Sequence, residues 1–181
     1  AAALGKVLGG IPDLSITLIE SEAIGTVGVG EATIPRIHAF NAMLGLDENT
    51  FVRETCATYK LGIEFVDWLR PGHRYVHPFG RYGLDMMGIE FHHFWLKAQE
   101  AGESEPLDSF SIAAMAGKAG KFARPRPDQP NSPLSKLAYA FQFDAGRYAR
   151  FLRGYAEKLG VRRIEGRIVD IELKLSKAQV I

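Results

Sequence analysis

The sequence predicts an α/β fold built as a single, incomplete Rossmann-like domain over residues 1–181, and three observations carry that expectation. First, Ala1–Leu8 is helix-like, Gly9-Gly10 supplies a stop, and the apolar run Leu14–Ile19 closes on Glu20. Helix, tight loop, buried parallel strand and terminal acid make the second half of a βαβ unit. Second, the middle of the chain combines cap-marked helices with a β-hairpin. Third, an amphipathic helix behind Asp144 leads into a closing run of alternating apolar residues.

Taking the elements in order, Gly25–Gly30 holds three glycines in six residues and reads as a loop that permits close ligand approach. Pro35 suits the first turn of a helix, in which Ile37, Phe40, Met43 and Leu44 share one face up to Gly45. Asp47 caps a second helix that runs to about Thr58. Beyond Lys60, Gly62–Leu69 is β-like, Pro71-Gly72 is a turn, and Arg74–Phe79 returns as the partner strand, which brings His77 back toward Lys60. Glu90–Gln99 is an aromatic-rich helix, and Gly117–Pro133 is a long surface loop whose Lys118, Lys121, Arg124 and Arg126 form a solvated face. Tyr148, Leu152, Tyr155, Ala156 and Leu159 then line one face of the Asp144 helix, which Gly160 terminates. Arg167–Leu175 alternates Ile168, Val169, Ile171, Leu173 and Leu175 with charges and reads as a final strand whose partner is missing.

Composition narrows the function classes. Among 181 residues, 46% are hydrophobic and 24% charged, enough for one sizeable core. Lys and Arg total 22 against 21 Asp and Glu, so no net field draws the chain to nucleic acid or a membrane, and a small partner fits better. The single cysteine excludes an internal disulfide framework and a multi-cysteine metal site. No segment approaches the roughly 18 to 20 apolar residues needed to cross a bilayer. The expectation is a cytoplasmic protein; a homodimer is compatible with it.

Glu20, at a strand end, stands where a dinucleotide-binding fold places an acid to accept hydrogen bonds from an adenosine ribose, although no G-x-G-x-x-G turn precedes it. The adjacent His92 and His93 are read as packing rather than metal ligands, because neighbouring helical residues point in different directions and chelating pairs sit three or four apart.

The string Gly28-Val29-Gly30-Glu31-Ala32-Thr33-Ile34-Pro35, followed after a helical stretch by Tyr59-Lys60, is far more specific. It resembles the strap and the Tyr-Lys pair of flavin-dependent tryptophan halogenases. That resemblance implies a flavin monooxygenase-like FAD-binding fold with a helical insertion on the substrate side. It makes Lys60 the catalytic residue. The chemistry it implies is that reduced FAD and oxygen would form a hydroperoxide, chloride or bromide would attack it, and Lys60 would deliver the resulting hypohalous acid to an electron-rich aromatic such as an indole. Delivery runs either by hydrogen bonding or through a haloamine. A separate flavin reductase supplies the reduced cofactor.

By the same resemblance, Gly28, Gly30, Ala32 and Thr33 lie along the flavin, Ile168 meets the adenine, and His77 and Phe79 wall the substrate pocket. Gln142 stands where the family commonly has histidine, which puts free tryptophan as substrate in question. The resemblance also implies that this is an N-terminal part, inactive alone, without the first phosphate turn and later catalytic and halide-binding segments. Two alternatives stay open: a related flavin monooxygenase that hydroxylates directly, and a flavin-binding module without catalysis.

Overall fold

The computed structural model describes residues 1–24, 31–103 and 105–172, so the expected positions Gly28 and Gly30 lie outside the described residues. The chain divides into two compact units, residues 1–29 with 145–181 and residues 30–144.

The first unit contains α1 (Ala2–Leu8) and β1 (Thr17–Glu20) from the start of the chain. Its other elements, here α6 (Ala145–Lys158) and β6 (Arg162–Glu165), come after the second unit. As expected, α6 turns its apolar stripe inward, with Ala156 buried, and ends before Gly160 in a left-handed conformation (φ 85°). Close packing between α1 and the end of α6 uses Gly5, where a Cβ would come within 2.9 Å of Val161 Cγ2. Strands β1 and β6 run parallel, with Thr17 opposite Arg162 and Glu20 opposite Glu165.

Two expectations fail in this unit. The last strand among the described residues is Arg162–Glu165; residues 166–172, which include most of the expected alternating run, are irregular, and its Leu173 and Leu175 lie outside the described residues. The partner of this last strand is therefore present, because β1 selects the segment that directly follows α6. Nor is β1 buried: Ile19 is half exposed and the strand alternates exposed and intermediate positions. A single neighbouring strand covers only its edge.

The second unit opens with α2 (Arg36–Leu44) and α3 (Glu48–Thr55). Gly45 ends α2 with φ 73°, and the Asp47 side chain accepts from Thr50 N–H at 2.8 Å, as its capping role requires. The carboxyl of Asp47 is held below the ordinary value, first by that backbone hydrogen bond and then by the Thr50 hydroxyl. Helix α3 stops at Thr55, shorter than expected, because Cys56 adopts a left-handed conformation and the chain turns into β2 (Thr58–Lys60). In α2 the buried positions are Asn41 and Leu44, whereas Phe40 and Met43 are exposed.

The expected hairpin is present as β3 (Gly62–Val66) and β4 (Arg74–Pro78), antiparallel with Gly62 opposite Pro78 and Ile63 opposite His77. Gly62 is obligatory, since a Cβ there would lie 2.6 Å from the His77 carbonyl oxygen. Helix α4 (Phe91–Glu100) matches the aromatic segment but buries none of its residues, so His92 and His93 are surface residues and not packing.

Ahead of the expected loop 117–133, in a stretch for which the sequence carried no expectation, lies α5 (Ile112–Lys118), capped by Ser111. A short strand, β5 (Ala140–Gln142), pairs antiparallel with β2, Lys60 facing Ala140. Around Phe141, rings of Phe51, His38, Tyr139 and Tyr59 lie 4.9 to 5.8 Å away by centroid, and both Phe51 and Phe141 are fully buried.

Arg124 is more than a solvated charge. It donates to Glu48, Asn49 and the Tyr59 hydroxyl, tying the long loop to α3 and β2. Lys118 pairs with Asp108 and Arg126 with Asp128. No helix among the described residues is long and apolar enough to cross a membrane.

Candidate functional site

The site begins with strand periodicity. In the antiparallel β2–β5 pair, cross-strand partners share a face, so Lys60 and Ala140 point one way while Tyr59 and Phe141 point the other. Tyr59 joins the aromatic core, stacking on Phe122 at 3.8 Å. Lys60 is thereby turned away from the ring cluster that anchors its strand.

Thr33 is locked to β5 by three hydrogen bonds. Its N–H and hydroxyl both donate to the Phe141 carbonyl, each at 2.9 Å, and its hydroxyl oxygen accepts from Phe141 N–H at 3.1 Å. Ala32 forms an isolated bridge with Gln142. Fixed in this way, the Thr33 carbonyl accepts a hydrogen bond from Lys60 Nζ at 3.1 Å.

On the hairpin side, Phe79 N–H donates to Leu61 O at 2.7 Å, extending the β3–β4 register by one step. The Phe79 ring, 8% exposed, lies beneath Lys60 Nζ at 5.3 Å from its centroid, a cation–π distance. Of the sequence-predicted residues, then, Ala32, Thr33, Lys60 and Phe79 converge. His77 does not join them: its side chain is exposed, and among the described residues no hydrogen bond or ring contact links it to Lys60.

A cavity of about 270 Å3 opens beside Lys60, walled by Gly62, Val76, Ala113, Ala114, Gly117 and Gln142. The wall contributed by α5 was missed in the sequence; Ser111 ahead of Ile-Ala-Ala-Met was the available signal. Glu64 on the rim pairs with Arg74 at 3.0 Å, which lowers its carboxyl below the usual range.

The other predicted residues belong to the first unit. Glu20 Oε1 accepts from Arg163 Nε at 2.6 Å and lies 3.8 Å from Arg153, while Oε2 has no partner among the described residues. Arg163 also reaches Glu22 and Glu165, neutralising the carboxylates that the parallel register sets opposite one another. Next to Glu20, a cavity of about 400 Å3 is lined by Ser21, Glu22, Gly146, Arg150 and Arg153. A strand-end carboxylate oxygen without a partner among the described residues can accept from a hydroxyl, and the nearby guanidinium groups can pair with an anion. Ile168 follows β6 in irregular chain, 56% exposed, rather than in a strand.

A family model for tryptophan halogenase matches residues 1–180. The chain belongs to the tryptophan halogenase family. Tryptophan 7-halogenase RebH of Lentzea aerocolonigenes is 35% identical to it over 188 residues, covering 95% of this chain and 34% of the relative. Tryptophan 6-halogenase SttH of Streptomyces toxytricini is 32% identical over 178 residues, covering 88% and 34%.

Among solved structures, BrvH, a flavin-dependent halogenase from Brevundimonas sp. BAL3, superposes with a TM-score of 0.84 at 47% identity, covering 96% of this chain and 34% of that one. Xcc4156, a flavin-dependent halogenase from Xanthomonas campestris, gives 0.85 at 44% identity, with coverages of 97% and 34%. This chain thus spans about a third of the length of the relatives it matches.

Proposed function

We propose that the protein carrying this chain halogenates an electron-rich aromatic, tryptophan or another indole, using FAD, oxygen and chloride or bromide, with a separate flavin reductase supplying reduced cofactor. The observation that carries this reading is the placement of Lys60 between the Thr33 carbonyl and the Phe79 ring, beside a cavity.

Bound and reduced, FAD supplies with oxygen and halide the hypohalous oxidant. What this chain adds is placement. Thr33 O takes one of the three donors of the Lys60 ammonium, and the Phe79 face stabilises its charge from a second side. The remaining donors can hold an oxidant. To take halogen at nitrogen the ammonium would first give up a proton, after which the amine lone pair would take X from HOX and water would leave. Such preorganisation on strand-borne residues keeps the reactive group from wandering.

Phe79, with His77 at the hairpin, is assigned to the aromatic substrate, where offset ring contacts add about 0.5 to 1.5 kcal/mol beyond area burial. Gly28, Gly30, Ala32 and Thr33 are assigned to the flavin, and Glu20 and Ile168 to its adenosine end. Residues 1–181 are read as part of one such FAD-dependent domain.

The test is turnover of an indole panel with FAD, a reductase and bromide, read by mass spectrometry. The proposal expects a brominated product that needs bromide and is lost in Lys60→Ala. Hydroxylated product formed without bromide would replace it with a monooxygenase. FAD-loaded protein that converts no compound in the panel would point to a binding module.

A further inference from the structure

Helix α4 starts with three metal-type donors on its solvent side. Glu90, the residue before the helix, has extended backbone (φ −66°, ψ 143°), and its Oε2 lies 3.3 Å from His92 Nδ1. The His92 and His93 rings stand 4.0 Å apart by centroid. One ligand atom from each of Glu90, His92 and His93 can be chosen so that all three lie within 4.8 Å of one another. The expectation that adjacent helical histidines diverge fails here because they occupy the first turn, where the preceding carboxylate folds back to meet them.

The turn carrying these donors is fixed from behind. Phe91 N–H donates to Asp85 Oδ1 at 3.0 Å, and the Phe91 ring packs 5.0 Å from Phe110. A Cβ at Gly83 would collide with that ring at 2.2 Å, so the chain there approaches as closely as glycine allows. One turn on, Trp95 Nε1 donates to Glu105 O at 2.9 Å. With Phe91 and Trp95 held inward, His92 and His93 project outward. Apart from the Glu90 contact, neither imidazole has a hydrogen-bond partner among the described residues that metal binding would have to break.

We propose that Glu90, His92 and His93 form a binding site for a divalent transition metal, Zn2+ foremost. Two imidazoles and one carboxylate are a borderline donor set, suited to zinc, nickel or copper and not to calcium or magnesium, which prefer all-oxygen sites. Metal–nitrogen and metal–oxygen bonds of about 2.0 to 2.2 Å require donors somewhat closer than the present limit, a closure that side-chain rotation supplies at an exposed site. Water completes the coordination, and the bound ion clamps the first turn of α4. This site is independent of the proposed halogenation and far simpler in its requirements.

Isothermal titration of the tag-free protein with Zn2+, with Mg2+ and Ca2+ as controls, tests it. One equivalent of Zn2+ should bind, at least about tenfold more weakly in His92→Ala or in His93→Ala, and not at all at this site in the double variant. Co2+ provides a second readout, its visible absorption bands appearing with wild-type protein and vanishing in the double variant. Zn2+ binding that is unchanged in the double variant, or no binding by wild type, would overturn the proposal, as would equal affinity for Ca2+.

Discussion

The surroundings of Lys60 and of Glu20 solve the same problem, holding one charged side chain in place, by different means. Lys60 rests on a backbone carbonyl that is itself locked by three hydrogen bonds to β5, and on a buried ring. Its strand is anchored by fully buried Phe141 and Phe51. Glu20 is held by Arg163 and Arg153 in a network shared with Glu22 and Glu165, with much of each carboxylate exposed. Packing resists salt and tolerates little change, whereas surface ion pairs are screened and individually weak. The first arrangement suits the relay role proposed for Lys60; the second suits the proposed role of Glu20, in which it would exchange a partner for a ribose hydroxyl.

The sharpest way to break this contrast is Phe141→Ala. Removing the ring at the centre of the cluster should cost about 3 to 5 kcal/mol in denaturant unfolding of the second unit. A loss below about 1 kcal/mol would mean that Lys60 does not depend on this core. Ser111→Ala, which removes the buried cap of α5 beside the Lys60 cavity, should cost about 1 kcal/mol by the same measurement. On the other side, Glu20→Gln should lower the thermal midpoint only slightly, and the difference from wild type should shrink between low salt and 1 M NaCl. A salt-independent loss would show that the Glu20 network acts as packing.

The smallest expected effect concerns acid. Asp47 has a folded-state pKa below its ordinary value, because Thr50 N–H and hydroxyl stabilise the carboxylate. Its contribution is therefore full above the ordinary value near 3.8 and is lost as pH falls through the lower, folded one. Asp47→Asn should flatten the acid limb of stability between pH 5 and about 2 while changing little at pH 7, a shift readable by denaturant midpoint across that range.

Much of the fold was legible wherever one residue determines a local geometry. Asp47 at a cap, Gly45 and Gly160 as stops, and Pro71-Gly72 between strands all act within a few residues of themselves. What failed depended on distant partners. The segment Arg162–Glu165 has a polar pattern that announces no strand, yet it pairs with β1, while the better-patterned Ile168–Ile171 does not form one. Register with β1 and the ion pairs of Arg163 outweigh alternation. Likewise Ala140–Gln142 is too short to signal a strand, and its pairing with β2 is what aims Lys60.

The candidate site divides the same way. Lys60 and the strap stand out as a string of residues, but the Thr33 carbonyl that receives the ammonium has no signature, since every residue carries a carbonyl. The packing expected of His92 and His93 fails because both face solvent from the first turn of α4, a placement that their adjacency in sequence does not reveal.

The claim that Lys60 delivers halogen is tested most directly by separating oxidant formation from its use. In Lys60→Met, free hypobromous acid captured by a scavenger should continue to form from reduced FAD, oxygen and bromide, while aromatic bromination falls by at least about a hundredfold. If bromination persists near the wild-type rate with the oxidant still forming, Lys60 is not the relay, and its contacts with Thr33 and Phe79 serve the fold alone.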